Sequence, residues 1–450
     1  MDSEIRTPPS PGVVSSPASV PPVQAAWPVA VQLLGRWLAD RERVDRVMEE
    51  VPPGLTPVER ARCQHLVFGV IRHASRLEEA LSRLIAHPPR FVTRAALFVA
   101  GFELIEAGQD GASAPGQTAK VVHYAVEQTK TLASPAEARM VNAVARRLAA
   151  ALQAEVPPPA LAPAAALAAY FSHPLWLVRR WLTEFGAAPT RALLEWNQRP
   201  APVYARWRPL ATDPRPDWLR PTRWPDFWEV PPGRWPEIEP LVKGGSLYLQ
   251  DPGTRGAVDL LAPAAGETLL DLCAAPGGKT VAMADRAGSG RVVAFDLPGD
   301  RLIHLRENLA VIRGVETCLV PGNLFEEPGL ALSQQGQPLS YAGVLLDAPC
   351  SNTGVMRHRV DVKWRLQEGD FTRHARQQTA LLLAAGRLVA PGGRLVYSTC
   401  SLDPEENGQV VRSFLARAPG FSLEAETVTV PWESGHDGAA AFRLRRAAAP

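Results

Sequence analysis

Two cysteines stand where a nucleophile could work. Cys350 lies in Asp347-Ala348-Pro349-Cys350-Ser351 and Cys400 in Tyr397-Ser398-Thr399-Cys400-Ser401, each just after a short apolar run of strand character. Taken singly, either thiol reads as a small buried hydrophobe, since free cysteine is among the most buried residue types. Taken together, with the carboxylate of Asp347 beside them, covalent chemistry through a thiolate is the better reading. A second segment, Asp271-Leu272-Cys273-Ala274-Ala275-Pro276-Gly277-Gly278-Lys279-Thr280, lies between a strand and a helix. Gly277 and Gly278 let the backbone turn tightly and approach a ligand. The spacing is neither that of a P-loop nor G-x-G-x-x-G. Asp296 ends the next strand about twenty residues on, where a carboxylate can accept hydrogen bonds from ribose hydroxyls. Capping of the following helix is the other reading of Asp296.

These residues need a scaffold that gathers them. Thr268-Leu269-Leu270-Asp271-Leu272, Arg291-Val292-Val293-Ala294-Phe295-Asp296, Gly343-Val344-Leu345-Leu346-Asp347 and Arg394-Leu395-Val396-Tyr397-Ser398 read as strands. Helices are expected over 301–312 and 371–389. Strands alternating with helices predict a parallel sheet covered on both faces, a Rossmann-like α/β domain over 264–450. Ligands of such sheets sit at the carboxyl ends of the strands. That places Asp271, Asp296, Asp347 and Cys400 along one rim.

The rest of the chain divides by composition. Residues 1–25 are a Pro/Ser-rich tail expected to be disordered. Residues 26–155 carry helical periodicity, with Leu66, Gly69, Val70, His73, Leu77, Ala80, Leu81, Leu84 and Ile85 on one buried face, and predict an all-α domain. Residues 156–263 form a linker and a small α+β middle region, opening on Pro157-Pro158-Pro159. Its stretch 209–240 holds Trp218, Trp224, Trp228 and Trp235 among Arg220, Arg223 and Arg234. Such aromatics either stack on RNA bases or pin a loop to its domain. The net charge of +2 is neutral on nucleic-acid binding, so any basic footprint must be local. Five cysteines without C-x-x-C spacing imply neither a disulfide framework nor a metal site. No run of about 18 apolar residues is present to span a membrane. A cytoplasmic monomer is expected.

The segments at 271–280 and 347–354, with Ser398-Thr399-Cys400-Ser401-Leu402-Asp403-Pro404-Glu405-Glu406-Asn407, resemble in order and spacing the signatures of the RsmB/NSUN family of RNA 5-methylcytosine methyltransferases. Phe68-Gly69-Val70-Ile71-Arg72 and Met140-Val141-Asn142-Ala143-Val144-Ala145-Arg146-Arg147 resemble the NusB-like RNA-binding module of the RsmB type. Ser172-His173-Pro174-Leu175-Trp176-Leu177-Val178 and Leu249-Gln250-Asp251-Pro252 resemble the region before the catalytic domain. The resemblance implies S-adenosylmethionine as cofactor and a cytosine of small-subunit (16S) ribosomal RNA as substrate. By it Cys400 attacks carbon 6, Cys350 assists breakdown of the adduct, and Asp347 meets the base edge, where a protonated carboxyl would suit donation. Lys363 would lie near the active site and hold the thiolate or the RNA backbone; a surface lysine is the other reading. Cys273, Ala274, Ala275, Pro276, Gly277, Gly278, Lys279, Asp296, Asn323 and Asp347 would bind the cofactor.

The sequence departs from the family at two places. Asn323 replaces the usual aspartate, keeping a carbonyl but losing the charge. Ala205-Arg206-Trp207-Arg208 replaces an Arg-Val-Asn segment, leaving open how the middle region holds RNA. Arg357, His358, Arg359, Lys363 and Arg365 are expected to meet the phosphate backbone, and Arg72, Arg76, Arg139, Arg146 and Arg147 to give the helical domain a basic side. Two rivals stay open: a DNA cytosine-5 methyltransferase using Cys350, and a non-enzymatic ribosome assembly factor with a decayed transferase fold.

Overall fold

The computed structural model describes residues 26–109 and 116–449. The tail expected over 1–25 lies outside the described residues. Seven helices follow, from Ala26–Asp40 to Pro135–Gln153. Local signals set several of their starts. Thr56 accepts from the Glu59 amide while Glu59 reaches back to the Thr56 amide, with Pro57 opening the helix. Ser134 and Pro135 repeat the start for the last helix. The apolar faces meet in one core around Trp37, Leu34, Leu66, Leu77, Phe98 and Leu148. The face expected to run unbroken through 66–85 is divided at His73, between the helices Pro57–Arg72 and Ala74–Ser82. Both halves still point inward, so periodicity passes over the bend.

The middle region has two parts. Helices Ala164–Tyr170, Leu175–Phe185 and Ala187–Gln198 bury Leu167, Trp181, Leu193 and Leu194 against Met356, Val362, Phe371 and Leu402. They therefore form a wall of the catalytic unit. Next come β1 (Val203–Trp207), β2 (Arg220–Pro221), β3 (Phe227–Val230) and β4 (Leu247–Leu249), an antiparallel sheet of order β2-β3-β1-β4.

The C-terminal sheet has seven strands: β5 (Thr268–Leu272), β6 (Arg291–Asp296), β7 (Glu316–Pro321), β8 (Tyr341–Asp347), β9 (Val389–Thr399), β10 (Phe421–Thr429) and β11 (Ala439–Arg446). Their order is β10-β11-β9-β8-β5-β6-β7. β5 to β9 are parallel, as expected; β11 and β10 add an antiparallel edge. The pattern in β10 gives little sign of a strand, because most of its side chains are exposed or half-exposed at the sheet edge. Chain order reverses between β5 and β8, the switch point that leaves a crevice at the carboxyl ends.

Candidate active site

The five parallel strands deliver their ends to one cleft of about 1410 Å³. That exceeds the roughly 300–1,000 Å³ of a small-molecule pocket and has room for a cofactor and a nucleotide together. Cys273, Ala275, Pro276, Lys279, Asp296, Asn323, Asp347, Cys350 and Cys400 all line it. Ala274, Gly277 and Gly278 do not. Ala274 is buried, and the two glycines give the turn its close packing. A Cβ on Gly277, whose φ is +110°, would come within 2.9 Å of Leu305.

Asp296 accepts from the Ala275 amide at 2.7 Å and from the Leu297 amide at 2.7 Å. It thus braces the turn after β5 while facing the cleft. It does not cap the helix Arg301–Ala310, which Asp300 precedes. Asn323 folds back on its own loop, accepting from the Phe325 amide and donating to Glu326. Leu297 and Phe325 stand exposed on the rim and line the same cleft. Two apolar side chains flanking a carboxylate and an amide fit a nucleoside, with a flat base and a polar sugar. This apolar pair is not legible in the sequence, where its only signal is that each member closely follows a polar residue at or just after a strand end.

The Cys350 and Cys400 sulfurs approach to 3.2 Å. Asn352, in the left-handed region at φ 60°, accepts from the Cys400 thiol at 3.2 Å and donates to the Cys350 carbonyl at 2.8 Å. The hydrogen bond with Cys400, and then burial, hold the Cys350 thiol well above the usual cysteine range. Cys350 therefore keeps its proton beside its neighbour. Asp347 accepts from Lys279 Nζ at 2.7 Å on one oxygen and from the Ser398 hydroxyl at 2.7 Å on the other. Both of its oxygens are thus engaged as acceptors. Burial works against the Lys279 cation, but the charge and hydrogen bond of Asp347 outweigh it and raise its pKa. Asp271 is fully buried below the rim; burial raises its carboxyl to about 7, against a hydrogen bond from Thr280.

Several charged residues expected at the site find partners within the chain. Lys363 is not a surface residue, and it does not line the cleft. It is buried and donates to the Arg72 carbonyl at 2.9 Å, while Trp364 donates to the Ile71 carbonyl at 2.8 Å. Both cap the end of a helix of the N-terminal domain. In the expected basic segment Arg357 is buried, while His358, Arg359 and Arg365 are exposed and line the cleft, each with a partner in the chain. Arg357 donates to the Pro200 carbonyl, His358 pairs with Asp437, Arg359 with Asp45 and Arg365 with Asp361. Arg72 and Arg76 are likewise engaged, with the Arg357 carbonyl and Glu155, whereas Arg139, Arg146 and Arg147 are exposed. Arg206 and Arg208 converge on Asp285 of the helix Gly278–Ala287 and fasten the small sheet to the catalytic unit. In the Trp-rich stretch Arg215, Arg223 and Arg234 lie over Trp228, Trp224 and Trp218. Trp235 is left 49% exposed. Sequence reasoning also passes over the role of Glu406, a buried carboxylate bonded to the loops of both cysteines.

The sheet order, the braced turn after β5 and the polar tips of β6 and β8 define a Rossmann-like, S-adenosylmethionine-dependent methyltransferase. Residues 258–443 match the family of 16S rRNA methyltransferases RsmB/F, and residues 26–150 match the NusB family. The chain is 30% identical over 410 residues to the ribosomal RNA small subunit methyltransferase B of Citrobacter koseri, covering 88% of this chain and 91% of that one. It is 31% identical over 420 residues to that of Salmonella paratyphi B, covering 89% and 92%. The chain belongs to the RsmB/F family of 16S rRNA methyltransferases. Among solved structures, PH0851 superposes with a TM-score of 0.72 at 20% identity, over 95% of this chain and 99% of that one. NSun6 from Pyrococcus horikoshii with SFG does so at 0.52 and 19%, over 60% and 97%; both likenesses concern the fold. Among the described residues no helix is long and apolar enough to cross a membrane.

Proposed function

We propose that this chain methylates carbon 5 of a cytosine in 16S rRNA, in the cytoplasm and as a monomer, with Cys400 as nucleophile. The observation that carries the reading is the thiol pair at 3.2 Å beside Asp347, at the end of a cofactor-type cleft. Cytosine carbon 5 is a poor nucleophile, and covalent addition turns one hard step into two easier ones. The Cys400 sulfur bonds to carbon 6, and the electron pair moves to carbon 5. S-adenosylmethionine, when bound, supplies an electrophilic methyl group. Asp347, held by Lys279 and Ser398, accepts from the amino edge of the base and orients it. After methyl transfer the carbon 5 proton passes to solvent water, the carbon 5–carbon 6 double bond re-forms as the carbon 6–sulfur bond breaks, and Cys400 departs as the thiolate that began the cycle. Cys350, a protonated thiol in contact with Cys400, serves that last step by donating a hydrogen bond to the departing thiolate. The nucleoside end of the cofactor would lie by Asp296, Asn323, Leu297 and Phe325. The mechanism assigns no step to a metal. The helical domain over 26–155 and the middle region over 156–263 would hold the RNA, and the target base leaves any stack to reach the thiol.

The test uses two variants. Cys400→Ser should abolish methyl transfer, and Cys350→Ala should accumulate a covalent RNA–protein adduct seen as a shifted band on a denaturing gel. Full activity in Cys400→Ser would overturn the assignment and favour Cys350 as nucleophile. Bisulfite sequencing of 16S rRNA from cells lacking the protein should show the loss of one methylcytosine.

A further inference from the structure

We infer that Glu406 is a positioning residue that sets the distance between the two thiols. This rests on the reading above, in which Cys400 attacks and Cys350 assists. The two cysteines sit on loops after different strands, 50 residues apart in the chain. Chain connectivity therefore does not fix the separation of their sulfurs. Glu406 spans the gap. One carboxylate oxygen accepts from the Ser351 amide at 2.9 Å and from Gln378 at 3.1 Å. The other accepts from the Ser401 hydroxyl at 2.5 Å and from the Ser351 hydroxyl. Ser351 directly follows Cys350, and Ser401 directly follows Cys400. A single carboxylate thus holds the residue after each thiol.

The anchor is itself fixed. Glu406 is fully buried, and its carbonyl accepts from the Tyr397 hydroxyl at 2.5 Å. Thr353 ties the same two loops again, donating to Asp403 at 2.6 Å and accepting from the Leu402 amide at 2.9 Å. Arg180 holds the other oxygen of Asp403 at 2.9 Å from outside. Glu406 hydrogen-bonds to neither sulfur, although its charge helps hold the Cys350 thiol up, so it sets their separation through the two loops. Covalent catalysis of this kind needs Cys350 within reach of Cys400 when the adduct breaks down. Misplacement by about 1 Å costs on the order of 100-fold in rate.

The test compares Glu406→Ala and Glu406→Gln in the full chain. Glutamine keeps an acceptor for the Ser351 amide and a polar end for the two hydroxyls. The Ala variant should lose about 100-fold in kcat, with KM for RNA and Kd for S-adenosylmethionine changed by less than about twofold. The Gln variant should recover to within about tenfold of the parent. A second measurement reads the sulfur separation directly. Diamide takes two electrons and two protons from a thiol pair, giving a disulfide and the hydrazine. Cys350–Cys400 disulfide formation should be fast in the parent, slowed in the Ala variant and restored in the Gln variant. Should Glu406→Ala fail to fold, Ser401→Ala removes one of the same bonds and should show a smaller change of the same kind. Unchanged kcat and disulfide rate in folded variants would overturn the inference. So would a loss in kcat that merely follows the unfolded fraction. Absence of an RNA adduct with Cys350→Ala, by contrast, would count against the reading of the function and leave the disulfide measurement standing.

Discussion

Asp285 offers the sharpest test of how the small sheet is held in place. Its carboxylate accepts from Arg206 Nη1 at 2.7 Å and from Arg208 Nε and Nη2 at 3.1 and 2.9 Å. The side chains are almost wholly buried, at 3% for Asp285 and Arg208 and 10% for Arg206. Asp285→Asn keeps the shape and removes the charge, leaving two guanidinium groups facing each other away from water. Breaking a buried pair by removing one partner costs about 3–5 kcal/mol. Arg208 retains the Gly245 and Val311 carbonyls at 2.8 and 2.9 Å, so the lower half of that range applies. At a urea dependence of about 2–3 kcal/mol/M, the unfolding midpoint should fall by about 1–2 M. Fluorescence of Trp207 and Trp228 in the small sheet reports the transition. Asp285→Asn combined with Arg208→Met should cost less than the sum of the two single changes by more than about 1 kcal/mol, because the double variant buries one cation fewer. A loss below about 1 kcal/mol in the single variant, or strict additivity in the pair, would refute the account of a charge-dependent anchor. Because β4 runs through Gln250 into Asp251, which lines the cleft, methyl transfer should weaken in step with the anchor.

Lys363→Met should leave S-adenosylmethionine affinity unchanged by calorimetry while making the 357–365 segment more open to limited proteolysis; a large loss of cofactor binding with no change in proteolysis would return Lys363 to the active site. His358 pairs with Asp437 at 2.7 Å, and although burial lowers its pKa, Asp437 outweighs that and raises it above the usual 6.5. A raised folded pKa gives stability that is fully present below the unfolded value and lost as pH climbs through the folded one. The Tm difference between the parent and His358→Gln should therefore be largest near about pH 5.5–6 and shrink toward alkaline pH; a difference that grows with pH would be inconsistent with the pair.

Much of the catalytic half is legible in the sequence because its chemistry is local. The strands around Asp271, Asp296 and Asp347 are short apolar runs that end in polar residues, and a parallel sheet carries such ends to one rim. The motif loops need no distant partner to be recognised. The helical domain is legible from periodicity, but the bend at His73 is not, since both halves keep the same inward face. The edge strands β10 and β11 escape because one is mostly open to solvent and the other opens on three alanines and closes on Arg-Leu-Arg-Arg. Arginines are the least legible residues. Arg357, Arg359 and Arg365 look like an RNA footprint in the chain, yet each meets a partner far away in sequence or one turn along its own helix.

By itself, then, the sequence determined the order of elements, the rim that gathers Cys350, Cys400, Asp347 and Asp296, and the family. Only the tertiary structure decided what each charged group faces. It turned Lys363 from the thiols to the Arg72 carbonyl, made Asp347 an acceptor twice over and spent Arg206 and Arg208 on Asp285. It also set Glu406 between the two cysteine loops. The reason is physical: a backbone pattern is fixed by neighbours a few residues away, whereas a buried charge is fixed by whichever partner packing brings within about 3 Å.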